Sequence, residues 1–181
     1  MKFWITEDPH LGHDKIHRFC GRPQGFEMKY LKALSHIPVG DVHICLGDVA
    51  WREEKKWNDL LISHTFCKNW LVLGNHDRRG FSWYLERGWD FVGNQITLEI
   101  FGATVIFSHR PIADTGYTWN VHGHFHNNDH RTFEPELVAI KNDKQIRVSL
   151  EWANYQPLPL ETLLKGTHTG EEFIIEGDRY A

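Results

Sequence analysis

Seven side chains have the types and the placing to bind metal ions or move protons: Asp8, His10, Asp48, Asn75, His109, His124 and His126. They fall in five segments, F-W-I-T-E-D-P-H (3–10), I-C-L-G-D (44–48), L-V-L-G-N-H-D (71–77), V-I-F-S-H (105–109) and W-N-V-H-G-H-F-H (119–126). In each, an apolar run stops at Asp, Asn or His, which reads as a buried strand with a site at its carboxyl end. The set holds two carboxylates, one amide oxygen and four imidazoles, and no thiolate. Mixed oxygen and nitrogen donors favour divalent transition metals, Mn first and Fe, Zn or Ni as alternatives, over Mg or Ca.

Seven donors are too many for one ion that must also hold substrate and water. One carboxylate bridging two ions solves the count, and ions about 3.5–4 Å apart clamp an in-line displacement. A water shared between them is acidified toward neutral pH, and this metal-bridging hydroxide is the expected nucleophile. Two ions against two carboxylates make a net positive pocket, suited to an anionic substrate. His76, beside Asn75, is placed to give a proton to the leaving oxygen, with Asp77 orienting and charging that imidazole. Phosphoryl transfer asks mainly for positioning and charge stabilisation. Singly the motifs are weak, since D-x-H and Gly-Asp are ordinary turn chemistry. Their conjunction, in this order and spacing, carries the reading.

The elements that position these loops follow from periodicity. Strands are expected at 2–6, 41–46 and 69–73, with helices at 26–37, 53–63 and 81–87 between or after them, and Asp14 capping a short helix that runs to Cys20. Alternation at 95–100 and 104–108 around F-G-A reads as a hairpin. Strands at 118–122 and 145–150 and a helix from about Pro159 complete the pattern. Strand–helix–strand–helix–strand followed by hairpins implies a mixed α/β sheet, parallel first and antiparallel later, with ligands at strand carboxyl ends.

At 181 residues the chain is expected to form one domain over 1–181. Apolar content of 41%, charged content of 24% and a formal charge of -4 fit a soluble protein and argue against a strongly basic nucleic-acid-binding surface. Cys20, Cys45 and Cys67 show no C-x-x-C spacing, so a reduced, cytoplasmic setting is the simpler expectation. No leader and no membrane-length apolar run is visible. Trp4, Trp57, Trp70 and Trp89 are read as packing residues, and His17, His36, His43, His64, His130 and His168 as surface histidines.

The series D-P-H, G-D-V, G-N-H-D, S-H-R-P and G-H-F-H resembles the calcineurin-like metallophosphoesterase superfamily, closest to its small single-domain bacterial and phage-type members, whose first motif often reads D-x-H-x-G-H. The resemblance covers residues 3 to about 155 and implies a four-layer α/β/β/α sandwich. It also implies that Asp8, His10 and His126 bind one ion, Asn75, His109 and His124 the other, that Asp48 bridges, and that His76 is catalytic. Every ligand position of the family pattern is filled. Beyond it, His13, Arg110 and Arg78 are candidates for contact with substrate. Trp83, Tyr84 and Tyr117 are candidates for a rim or interface.

The expected activity is hydrolysis of phosphodiesters, with phosphomonoesters as a further substrate. An alternative is a nuclease using the same two-ion chemistry on DNA or RNA. A scaffold without catalysis would have eroded ligands, and these are intact. Oligomeric state is not legible.

Overall fold

Residues 1–128, 134–140 and 142–166 are described by the computed structural model. His130, His168 and the polar tail beyond Gly166 lie outside them.

Nearly every strand is a short β-branched or apolar run that must bury one or both faces. β1 (Phe3–Thr6), β2 (Val42–Cys45) and β3 (Lys68–Val72) pair in parallel, level at Thr6, Cys45 and Leu71. Two strands that the sequence reading missed complete this sheet. β4 (Phe91–Gly93) adds in parallel to β3, and the two-residue β9 (Leu158–Pro159) runs antiparallel to β1. The order is β4-β3-β2-β1-β9.

In the second sheet, β5 (Gln95–Ile100) and β6 (Ala103–Ser108) form the expected antiparallel hairpin. β7 (Trp119–His122) and β8 (Gln145–Arg147) then continue in parallel, so the expectation of an antiparallel second half holds only for its first pair. Periodicity gives a strand's faces, not its direction. The short helix α5 (Pro135–Ala139) lies in the crossover from β7 to β8 and was not foreseen.

Helices α1 (Ile16–Cys20), α2 (Phe26–Leu34), α3 (Glu54–Ser63) and α4 (Phe81–Leu85) carry the remaining apolar stripes. Lys15, not Asp14, occupies the cap of α1, and no side chain caps it. Tyr30, Leu31, Leu34, Leu61 and Tyr84 join Cys45 and Leu71 in one buried cluster, which seats these helices on the first sheet. A second cluster fills the space between the sheets, with Phe3, Ile5, Ile44 and Val72 meeting Val105, Phe107, Val121 and Ile146. Helix α6 (Leu160–Gly166) adds Leu160, Leu163 and Leu164 to it. The result is a mixed α/β fold of two mixed sheets. No described helix is long and apolar enough to cross a membrane.

Trp4, Trp57, Trp70 and Trp89 pack on these clusters, as expected. His43 does not lie at the surface. It is fully buried in β2, and its ring nitrogens meet Thr6 Oγ1 at 2.8 Å and Asn69 Oδ1 at 3.1 Å. Tyr84 and Tyr117 are also buried, so neither forms a rim, and the half-buried Trp83 is covered by the Arg87 guanidinium at 4.3 Å. What matters for the site is that β1, β2, β3, β6 and β7 each end in one of the five chemical loops.

Candidate functional site

Five of the seven residues hold an unusual backbone. Asp8, His10, Asp48, His124 and His126 have φ of 40°, 46°, 55°, 73° and 50°. This left-handed region costs a residue with a Cβ of order 1–3 kcal/mol and persists where the surroundings over-determine it. In the loops that follow the strands it bends the chain locally. His124 and His126, which would point to opposite sides of an extended segment, thereby reach the same centre.

On one side, His109, Asn75 and His124 converge. His109 Nδ1 donates to the Leu46 carbonyl at 2.8 Å, which leaves Nε2 with its lone pair inward. That Nε2 lies 2.9 Å from Asn75 Oδ1, 3.1 Å from His124 Nδ1 and 3.6 Å from Asp48 Oδ2. On the other side, His10 Nε2 is 3.4 Å from Asp48 Oδ2, and Asp8, His10 and Asp48 each bring a donor atom within 4.8 Å of the others. The His126 ring stacks on His10 at 5.1 Å. Asp48 touches both groups and is itself buried.

Three observations fit this pocket to divalent cations. Two electron-pair donors, His109 Nε2 and Asn75 Oδ1, face each other with no proton between them. Asp8 Oδ1 is buried without a hydrogen-bond partner. Such an orphan is rare in folded proteins and needs an explanation. The titration behaviour agrees. Burial pushes Asp48 up to about 6, against the pull of the His76 N–H bond, and burial followed by the charge of Glu7 raises Asp8 well above its ordinary value. Burial brings His109 down to about 4 and lowers His10. Raised acids and lowered imidazoles mark a buried pocket that disfavours carboxylate charge and leaves imidazole lone pairs free, and a bound cation would answer both.

His76 stands at the mouth. Its backbone N–H donates to Asp48 Oδ1 at 2.8 Å, and its ring packs against His10 and Trp51 at 5.4 and 4.6 Å. Burial lowers its pKa, with the Asp48 charge opposing. Asp77 bonds to backbone rather than to the His76 ring. Its carboxylate accepts the N–H groups of Asp48, Val49 and Gly74 at 2.7, 3.0 and 2.8 Å, and the Tyr84 hydroxyl at 3.3 Å. His13 is stacked on Trp51 at 4.3 Å and lies edge-on to His10 at 5.8 Å. Arg110 pairs with Glu134 at 2.9 Å, and Arg78 is exposed next to Asp77.

Four residues at the centre escaped the sequence reading. Arg22 is buried and donates to the carbonyls of Asp8 and Pro9 at 2.8 and 2.7 Å and to Glu151 Oε1 at 2.7 Å. Glu151 also lies 3.5 Å from His126 Nδ1. Burial opposes its charge, but His126 and Arg22 prevail and hold it at about 2. Glu134 meets His124 Nε2 at 2.5 Å. A carboxylate behind a histidine fixes its orientation and raises its basicity as a metal ligand. The fourth is Glu7, fully buried next to Asp8.

These carboxylates overturn the expected charge balance. Among the described residues the centre sets Glu7, Asp8, Asp48, Asp77 and Glu151 against one guanidinium, that of Arg22, while Glu134 and Arg110 pair with each other. Two divalent ions would bring this set to neutral, not to net positive.

A family model for calcineurin-like phosphoesterases matches residues 1–174. The chain is 26% identical to the uncharacterized protein MJ1445 of Methanocaldococcus jannaschii over 181 residues, spanning 94% of this chain and 93% of that one. The crystal structure of AQ665, a protein of unknown function from Aquifex aeolicus, shares the fold, with a TM-score of 0.72 at 22% identity and coverage of 91% of this chain and 98% of that one.

Proposed function

This chain belongs to the calcineurin-like phosphoesterase family, metal-dependent hydrolases of phosphoester bonds, and on that premise we propose that it is a two-ion phosphodiesterase. The observation that carries the reading is the position of Asp48, whose Oδ2 faces His10 Nε2 at 3.4 Å and His109 Nε2 at 3.6 Å. In this reading Asp8, His10 and His126 hold one ion, Asn75, His109 and His124 hold the other, and Asp48 serves both. Manganese is the ion we assign first, with iron, zinc or nickel able to use the same donors. Bound ions supply positive charge to the phosphoryl oxygens and a water acidified toward neutral pH.

The chain's own groups do the rest. His76, held at the mouth by its bond to Asp48, gives a proton to the leaving alkoxide oxygen. Asp77 positions rather than reacts, because its carboxylate ties the loop after β2 to the loop after β3. Glu151 and Glu134 orient His126 and His124 from behind. To His13, Arg110 and Arg78 we assign contacts with the substrate's substituents. Diesters are favoured because two ions already neutralise the site, so the second charge of a monoester finds little excess positive potential.

The test is turnover of an aryl phosphodiester against the matching aryl phosphomonoester by manganese-loaded protein. A diester preference is expected, and a monoester rate tenfold higher would sink it. Single- and double-stranded DNA and RNA, assayed across a salt series, separate a nuclease from an enzyme for small diesters.

A further inference from the structure

Among the described residues, Glu7 is the one buried carboxylate of the centre with no role in the proposed chemistry. It is fully buried, immediately before Asp8 at the end of β1. Its Oε1 accepts the N–H of Leu150 at 2.8 Å, which fixes the side chain, while Oε2 has no hydrogen-bond partner. Glu7, Asp8 and His126 each offer a donor atom within 4.8 Å of the other two. Donors around one transition ion, at about 2.0–2.2 Å each, are themselves at most about 4.4 Å apart. The three are therefore within a small side-chain adjustment of sharing an ion.

The surroundings are shaped around this carboxylate. A Cβ at Gly123 would lie 2.9 Å from both Glu7 Cβ and Glu7 Oε2, so the glycine of G-H-F-H leaves the room that Glu7 occupies. Two adjacent buried carboxylates repel each other when both are ionised. A cation between them removes that conflict. Arg22 cannot supply it, because its guanidinium is committed to the Asp8 and Pro9 carbonyls and to Glu151.

We propose that Glu7 is a metal ligand, giving its free Oε2 to the ion held by Asp8 and His126. The proposal rests on the reading that this centre binds ions, and it adds a hard oxygen donor to one of the two positions. That position becomes richer in carboxylate than the one formed by Asn75, His109 and His124. The two ions are then unequal in affinity, the Asp8 side holding its ion more tightly.

The test is zinc titration of the ion-free protein by calorimetry, wild type against Glu7→Gln, with elemental analysis for stoichiometry. Two ions per wild-type chain are expected. In Glu7→Gln one ion should keep its affinity while the other weakens by more than about 100-fold, beyond the roughly 10–100-fold that loss of an outer hydrogen-bonding partner costs. Unchanged affinities, or a loss within that smaller range, would overturn the proposal. Should the variant fail to fold, wild-type crystals soaked with zinc decide the matter by anomalous scattering. An ion within about 2.0–2.2 Å of a Glu7 oxygen is expected. Ions present but more than about 3 Å from Glu7 would overturn this proposal alone, whereas no ion in the centre would overturn the two-ion reading as well.

Discussion

The carboxylate of Asp77 accepts the backbone N–H of Asp48 at 2.7 Å, so the residue that sits between the two donor groups is held from behind by the loop after β3. The same carboxylate takes the N–H groups of Val49 and Gly74. A buried N–H left without a partner costs about 1–3 kcal/mol. Asp77→Ala should therefore destabilise the ion-free protein by about 2–5 kcal/mol, with Asp77→Asn costing less because one acceptor oxygen remains. Urea unfolding in the presence of a chelator measures it. A loss under about 1 kcal/mol in the alanine variant would contradict the clamp.

His76 and Asp48 should separate chemistry from binding. His76→Ala is expected to keep its ions while turnover falls by about 100- to 10,000-fold, the range for a general acid. Asp48→Ala should lose ions along with activity. Elemental analysis beside steady-state kinetics distinguishes the two, and full turnover in either variant would mean that the roles are misassigned.

Ion removal should be complete and reversible. Dialysis against a chelator is expected to abolish hydrolysis, and adding back manganese or zinc to two equivalents should restore it. Hydrolysis that persists after elemental analysis finds the protein stripped would refute metal dependence.

His43 predicts a pH dependence of stability away from the centre. Burial holds its imidazole at about 4 in the folded protein, against about 6.5 unfolded. Between these values the unfolded chain binds a proton that the folded one refuses, so stability falls as pH drops below about 6.5 and is level above it. From pH 7.5 to pH 5 the wild type should lose about 2 kcal/mol more than His43→Gln, read from urea unfolding with chelator present. Equal losses would mean that His43 accepts a proton within the fold.

The loops were legible because each donor follows its strand without a break, as Asn75 and His76 follow Leu71–Val72–Leu73–Gly74. The residues behind them were not. Arg22 and Glu151 stand 129 positions apart and meet only through packing, and neither sits in a pattern that marks it. Glu134 reaches His124 from a segment with no periodicity of its own. Glu7 did carry a signal, since E-D at the end of a buried strand puts two carboxylates where one was expected. A histidine standing singly reads as a surface residue, but Thr6 and Asn69 on neighbouring strands satisfy His43 internally. β4 and β9, with three residues and two, are too short for alternation to reveal.

A Cβ at Gly47 would come within 2.5 Å of the Gly74 nitrogen, so the turns after β2 and β3 lean on each other through bare main chain. Nothing compressible lies between them. The distance between Asp48 and Asn75, which follow these glycines, is thus set by peptide groups rather than by side-chain rotamers.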